Sequence, residues 1–310
     1  MEVILAEHAG FCFGVNRAVD TLKEEIRQYG DDVPIYTWGP IIHNEEVVRS
    51  FEEQGVRAVE TIGELQTLAD TAQGKEPGIV VIRSHGVSRD VMQGITELGF
   101  RVVDATCPFV KRIHQIVEKA GEEDRIVIVV GDPGHPEVQG IVGWSAGEGA
   151  VRVVADVKAA EELDLPRTSR VTIVSQTTYR VTKFQEIVEI IKQKEYDVNI
   201  ADTICNATEE RQREAEALAA SVDAMIVVGG AHSSNTRKLY EICARLCPRT
   251  DFVHTPEDLR LTWPSSVQRV GITAGASTPQ KIIEEVISYV RSGQEFHGAG
   301  GRVIQDDPHR

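Results

Sequence analysis

The chain has 310 residues, 41% of them apolar, and carries 48 acidic against 33 basic side chains for a formal net charge of −15. That length exceeds the usual size of one core, so two or three domains are expected, and an acidic balance unbroken by any Lys/Arg cluster argues against a sequence-independent grip on nucleic acid or an anionic membrane. No apolar run reaches the roughly 20 residues of a bilayer span, and the amino end, MEVILAEHAG, has acidic residues where a signal peptide has basic ones. Five cysteines, an odd number in a long chain, fit a reducing compartment where thiols bind metal or catalyse. These features predict a cytoplasmic protein whose partner is a small molecule or another protein.

A short apolar run, Val3 to Leu5, reads as a strand, and Val15, Ala18, Val19, Leu22 and Ile26 recur at helical spacing. Between them lies HAGFCFGVNRA, so Cys12 stands where a strand hands over to a helix. The helix amino end offers N–H groups and a positive dipole end that lower a thiolate pKa, while Gly10 and Gly14 allow a bulky partner to approach. Leu65 to Pro77 reads as a polar excursion, followed by a strand at Ile79 to Ile82 and another at Arg101 to Val103. Cys107 follows that strand and precedes a helix opened by Pro108. Further strands are expected at Arg125 to Val130, Val151 to Val154 and Val171 to Val174. VNIADTICNATEERQREAEAL then gives Cys205 the address of Cys12 and Cys107. Strands at Met225 to Val228 and Val270 to Thr273 and a helix ending near Val290 complete the ordered chain, and residues 291–310 read as a flexible tail.

The alternation of strands and helices is that of parallel sheets covered by helices. Because the three cysteines recur at near-equal intervals, the chain divides into three similar α/β units: 13–107, 108–204, and 205–290 completed by residues 1–12. The units should pack pseudo-threefold around a common centre. Polar segments follow the strands: IIHN with His43, RSHG with His85, GDPGHPE with His135 and Glu137, SQTT with Thr177, GGAHSSN with Ser233, Ser234 and Asn235, and GITAGAST with Ser277. Ligands bind beyond the carboxyl ends of parallel strands, so one central pocket can gather them together with the cysteines.

No CxxC pair is present, which excludes a zinc ribbon or a local ferredoxin-type loop. Three ligands from three units could instead hold an iron-sulfur cluster with one iron lacking a protein ligand, an open Lewis-acid site; a zinc hydrolase or a redox sensor are rival readings of the same thiols. Cys243 and Cys247, spaced i to i+4, fit a buried apolar role. Three histidines beside Ser, Thr and Asn suit phosphate oxygens. Glu137 reads either as a helix-start carboxylate or as a closed-site acid with a raised pKa. No GxxxxGK[ST] loop and no GxGxxG after a strand occurs.

HAGFCFGVNRA, GPIIHN, RSHG, DATCP, GHPE, SQTT, DTICNAT, GGAHSSNT and GASTP, in this order, resemble the LytB (IspH) family of 4-hydroxy-3-methylbut-2-enyl diphosphate reductases. The resemblance implies a three-lobed α/β fold and a 4Fe-4S cluster on Cys12, Cys107 and Cys205 with one iron open to substrate. It further implies reductive removal of the allylic hydroxyl of (E)-4-hydroxy-3-methylbut-2-enyl diphosphate, giving isopentenyl and dimethylallyl diphosphates, the last step of the methylerythritol phosphate route. His43, His85, His135, Ser233, Ser234, Asn235 and Ser277 would line the diphosphate end, with Thr177 and Glu137 beside the hydroxyl and Glu137 the proton source. A reduced ferredoxin or flavodoxin fits as electron donor.

Overall fold

The computed structural model describes residues 1–30, 32–72, 76–145, 150–260, 263–264 and 266–293. Strand β1 (Glu2–Leu5) leads through Cys12 into α1 (Phe13–Tyr29), and the chain continues with β2 (Ile35–Trp38), α2 (Glu45–Glu52), β3 (Arg57–Val59), α3 (Ile62–Thr71), β4 (Ile79–Ile82), α4 (Arg89–Glu97) and β5 (Arg101–Asp104). Beyond Cys107 come α5 (Pro108–Glu122), β6 (Ile126–Val130), α6 (Pro136–Val142), β7 (Val151–Val154), α7 (Val157–Glu162), β8 (Arg170–Ser175), α8 (Val181–Lys192) and β9 (Asp197–Ile200). Beyond Cys205 follow α9 (Asn206–Ala219), β10 (Ala224–Val228), α10 (Ser234–Leu246), β11 (Thr250–Val253), β12 (Arg269–Ala274) and α11 (Gln280–Ser292).

The strands form three four-stranded sheets of one topology. Their orders are β3-β2-β4-β5, β7-β6-β8-β9 and β11-β10-β12-β1, with every pairing parallel. The amino-terminal strand therefore takes the edge position of the third sheet that β5 and β9 take in the first two. Composition follows position: the inner strands IVVI (β4) and AMIVV (β10) are buried throughout, whereas the edge strands RVVD (β5), DVNI (β9) and EVIL (β1) are only partly so. A strand covered on both faces must be apolar at every residue, and an edge strand need not be.

In the first two sheets the chain leaves its first strand toward one edge and its next inner strand toward the other, and in the third β1 fills the corresponding edge beside β12, so crevices lie at the carboxyl ends of β2/β4, β6/β8 and β10/β12. Each cysteine-bearing helix packs on the sheet that follows it. Val15, Ala18, Val19 and Leu22 of α1 join Ile35, Ile79 and Val81; Ile113 and Val117 of α5 join Val127, Val129 and Val174; Ala215 and Ala219 of α9 join Met225 and Val227. Since each of these helices starts from the edge strand of the preceding sheet, its amino end lies where two sheets meet.

Two expectations change. Most of the polar excursion over 65–77 is helix: Thr61 caps α3 by accepting from the Glu64 N–H at 3.2 Å, and Leu65 is fully buried. The short strands β2, β3 and β11 are additions to the expected set; IYTW, RAV and TDFV are too short and too mixed in polarity to declare themselves. Of the tail, residues 294–310 lie outside the described part of the chain.

Candidate active site

Cys12, Cys107 and Cys205 are the N-cap residues of α1, α5 and α9. An N-cap side chain ordinarily turns back to accept an N–H from the first turn, as Asn44, Ser88 and Ser233 do here. None of the three thiols closes a cap bond of that geometry, although first-turn N–H groups act on Cys107 and Cys205, and all three line one pocket. Their backbones are held alike. The Cys12 N–H donates to the Ala276 carbonyl at 3.3 Å, that of Cys107 to Ser84 at 2.9 Å, and that of Cys205 to Thr177 at 3.2 Å. Each acceptor lies two residues beyond an inner strand: β12, β4 and β8.

The amino end of α1 presses against Cys107, since a Cβ on Gly14 would come within 2.6 Å of the Cys107 Sγ. Cys205 Sγ lies 3.0 Å from the Thr208 hydroxyl. Burial pushes the Cys107 thiol up to about 11 and raises that of Cys205, outweighing the N–H groups of Phe109 and Val110 at the one and the Thr208 contacts at the other. The expected lowering by the helix end is thus overturned for these two. A buried thiol gives up its proton to solvent readily only where a positive partner stabilises the thiolate left behind, and a metal centre is such a partner. Three free thiols from three sheets, beside a glycine that keeps one flank open, fit the donor set of a thiolate-ligated cluster.

Across the pocket stand His43, His85 and His135, with ring centroids 4.7, 5.4 and 6.0 Å apart. Burial first, and the Arg83 guanidinium and neighbouring imidazoles next, push His43 and His135 down to about 4 and His85 well below its ordinary value. All three are neutral near pH 7. The Glu137 N–H donates to His135 Nδ1 at 3.2 Å, which leaves the His135 proton on Nε2, free to donate. His43 Nε2, His85 Nδ1 and Asn235 Nδ2 are buried without a hydrogen-bond partner. Groups so placed cost free energy until a ligand satisfies them. Ser233 and Ser234 open α10, where Ser234 Oγ accepts from Thr178 Oγ1 at 3.2 Å, and Ser277 donates to the His43 carbonyl at 3.2 Å. The histidine nitrogens are close enough together to hold a cation, yet the Asn235 amide and the helix amino end beside them favour an oxyanion.

Glu137 sits in the first turn of α6, behind His135 and Pro136, and is 1% exposed. Its two oxygens accept from Thr177, Oε1 from the N–H at 2.6 Å and Oε2 from the hydroxyl at 2.8 Å. Burial raises the carboxyl to about 7 against the opposing pull of these bonds. Near neutrality it can therefore still carry a proton.

All twelve residues expected at the site line one pocket: Cys12, Cys107, Cys205, His43, His85, His135, Glu137, Thr177, Ser233, Ser234, Asn235 and Ser277. Ser84, Thr178 and Thr208 line it too; each belongs to a motif read in the sequence, RSHG, SQTT and DTICNAT, but was not singled out there as a site residue. Cys243 and Cys247 lie elsewhere, in the apolar cluster with Ala215, Met225 and Leu239, and burial pushes the Cys243 thiol up to about 12.

Fold and pocket together define a three-sheet α/β protein whose centre joins a thiol-lined end to an end lined by neutral histidines and an unpartnered asparagine amide. Residues 3–291 match the LytB protein family, and the chain belongs to it. It is 42% identical over 294 residues to the 4-hydroxy-3-methylbut-2-enyl diphosphate reductase of Alkaliphilus oremlandii, covering 94% of this chain and all of the relative. A solved (E)-4-hydroxy-3-methyl-but-2-enyl diphosphate reductase, described as the terminal enzyme of the non-mevalonate pathway, is 39% identical with a TM-score of 0.65 over 94% of this chain and all of that one. The E-1-hydroxy-2-methyl-but-2-enyl-4-diphosphate reductase of Plasmodium falciparum is 26% identical with a TM-score of 0.83 over 99% and 95% of the two chains.

Proposed function

We propose that the protein reduces (E)-4-hydroxy-3-methylbut-2-enyl diphosphate to isopentenyl and dimethylallyl diphosphates, the last step of the methylerythritol phosphate pathway. Two electrons and two protons replace the allylic hydroxyl by hydrogen and release water. The observation that carries this reading is the meeting, in one pocket, of three cysteines, an end lined by neutral histidines and a buried carboxyl that accepts two bonds from Thr177.

Cys12, Cys107 and Cys205 would hold a 4Fe-4S cluster. When bound, it supplies electrons singly and a Lewis-acid iron with no protein ligand. His43, His85 and His135 donate to the diphosphate through their neutral N–H groups, and the Asn235 amide and the hydroxyls of Ser233, Ser234 and Ser277 complete its shell. A hydrogen bond to a charged acceptor contributes roughly 1.5 to 3 kcal/mol; several together fix the hydroxymethyl end of so short a molecule toward the cysteines. Orientation of this kind removes much of the entropic part of the barrier. Glu137 holds the proton that leaves with the hydroxyl, and Thr177 sets both carboxyl oxygens and can relay from that side.

On this reading the chain divides into units 13–107, 108–204 and 205–290 with residues 1–12, each range holding one four-stranded sheet. Reduced ferredoxin or flavodoxin would be the electron donor, and the cytoplasm the compartment. Among the described residues no helix is long and apolar enough to cross a membrane.

The test is anaerobic turnover of the diphosphate with a chemically reduced mediator. Both five-carbon products should appear, in an amount set by the electrons supplied. Brown, cluster-replete protein that binds the substrate yet forms neither product would overturn the assignment.

A further inference from the structure

Helix α9 has an unusual buried face. Where α1 and α5 bury mainly aliphatic side chains, α9 buries Thr208, Arg211 and Gln212 beside Ala215 and Ala219. Thr208 and Gln212 have evident tasks, Thr208 at the Cys205 sulfur and Gln212 bridging to the Tyr179 carbonyl at 3.1 Å. Arg211 does not fit so easily. It is 5% exposed, one Nη donates to the Gly10 carbonyl at 2.6 Å and the other to the Ala207 carbonyl at 3.0 Å, and its Nε is buried without a partner.

Among the described residues no carboxylate lies within ion-pair distance of this guanidinium. Glu210 and Glu214, the carboxylates whose charge acts on it, are beyond that distance and are engaged with His8 at 3.6 and 3.1 Å. A buried cation without a counter-charge is costly, and carbonyl oxygens offset only part of that cost. The other groups that interact electrostatically with Arg211 are the sulfurs of Cys12 and Cys205. It is bonded to the carbonyl two residues before Cys12 and lies on the helix that Cys205 caps.

We propose that Arg211 is the resident counter-charge of the centre held by Cys12 and Cys205, fixing the Cys12 loop through the Gly10 carbonyl and favouring the reduced form of that centre. The inference rests on the cluster reading of the three cysteines. Thiolates bound to iron give the guanidinium the negative partner it lacks among carboxylates. Each electron accepted from the external donor adds one negative charge to the centre, and a fixed cation in surroundings of low dielectric stabilises the more negative state. Arginine suits the place because its planar fork reaches two carbonyls while its charge persists at any working pH. Arg211 is thus a positioning residue, touching the ligand-bearing loop rather than the substrate.

The test is a mediator titration of the holoprotein, followed by electron paramagnetic resonance or visible absorbance, on parent, Arg211→Gln and Arg211→Lys, with iron and sulfide measured on each. Arg211→Gln should titrate at a more negative midpoint potential than the parent, and Arg211→Lys, which keeps the charge, should lie nearer the parent. A merely structural role would alter cluster content or melting without moving the potential. An unchanged potential in Arg211→Gln overturns the proposal. Should Arg211→Gln assemble no cluster, Arg211→Lys decides: a cluster retained at close to the parental potential supports the charge role, and loss in both variants overturns it. If the parent itself, isolated without oxygen, holds no iron and sulfide, it is the cluster reading that has failed.

Discussion

Glu137 illustrates how burial sets a role that residue type alone leaves open. Carboxylates at helix starts are common and are ordinarily ionised, stabilised by the dipole. Here complete burial raises the carboxyl to about 7 although Thr177 donates to both of its oxygens. A carboxyl raised in the folded state contributes stability that is fully present below its unfolded value and is lost as pH rises through about 7. The acid form that the proposed proton delivery would need is lost over the same interval. Turnover should therefore fall as pH rises past neutrality, and Glu137→Gln should lack that limb while turning over about 10²- to 10⁴-fold more slowly. A pH–rate profile of both proteins at saturating donor checks this; parental turnover by Glu137→Gln would move the proton source elsewhere.

The histidines test the opposite end of the pocket. With all three imidazoles neutral and His85 Nδ1 unpartnered, the proposed diphosphate shell would be built from neutral donors rather than from lysines. His85→Asn should weaken inorganic pyrophosphate binding roughly ten- to hundredfold, the equivalent of one bond to a charged acceptor, and leave the visible spectrum of the cluster unchanged. Titration calorimetry would read it, and equal affinity in mutant and parent would count against this subsite.

Among the elements, the three cysteine-capped helices carry the most weight, and their packing yields a sharp expectation at α1. Gly14 is helical and alanine is ordinarily favoured over glycine there by about 1 kcal/mol. In this place the added methyl would meet Cys107 Sγ at 2.6 Å, with the Cys107 Cβ at 3.1 Å behind it. Gly14→Ala should thus lower rather than raise stability, by about 1 to 3 kcal/mol as for other overpacked sites, and reduce iron content. Urea unfolding of the metal-free protein separates the two effects, and a gain in stability would contradict the close approach.

The elements also show what a sequence reveals and what it withholds. IVVI at Ile79 and AMIVV at Ala224 declare inner strands because burial on both faces demands unbroken apolar runs. RAV at Arg57 and TDFV at Thr250 are edge strands whose pairing supplies the order that their side chains do not, and neither is legible alone. Cys12, Cys107 and Cys205 are legible as a set because repetition exposes their common position. Arg211 is not: nothing in TEERQRE distinguishes the arginine that turns inward from Arg213 two residues later. The direction of the thiol shift was equally hidden, since local sequence displays the helix end that lowers a pKa but not the tertiary burial that raises it.

At the scale of the whole molecule, one sheet order used three times explains why so many motifs converge. Each sheet brings two inner-strand loops and one edge-strand exit to the centre, the last carrying a cysteine whose N–H is held by the loop of its own sheet. The third sheet is closed only by β1, whose register with β12 runs from Glu2 opposite Arg269 to Leu5 opposite Ile272. Chain termini that are far apart in sequence are therefore partners in one sheet, and Cys12 reaches the centre because of it. The central claim is that the three sheets each give one thiol to a single centre while Cys243 and Cys247 give none.

Iron and acid-labile sulfide, measured on anaerobically isolated parent and on Cys12→Ser, Cys107→Ser, Cys205→Ser and Cys243→Ser, test that claim most directly. The expected result is a full cluster in the parent and in Cys243→Ser, with marked loss in each of the other three; a full complement of iron and sulfide in Cys205→Ser would contradict it.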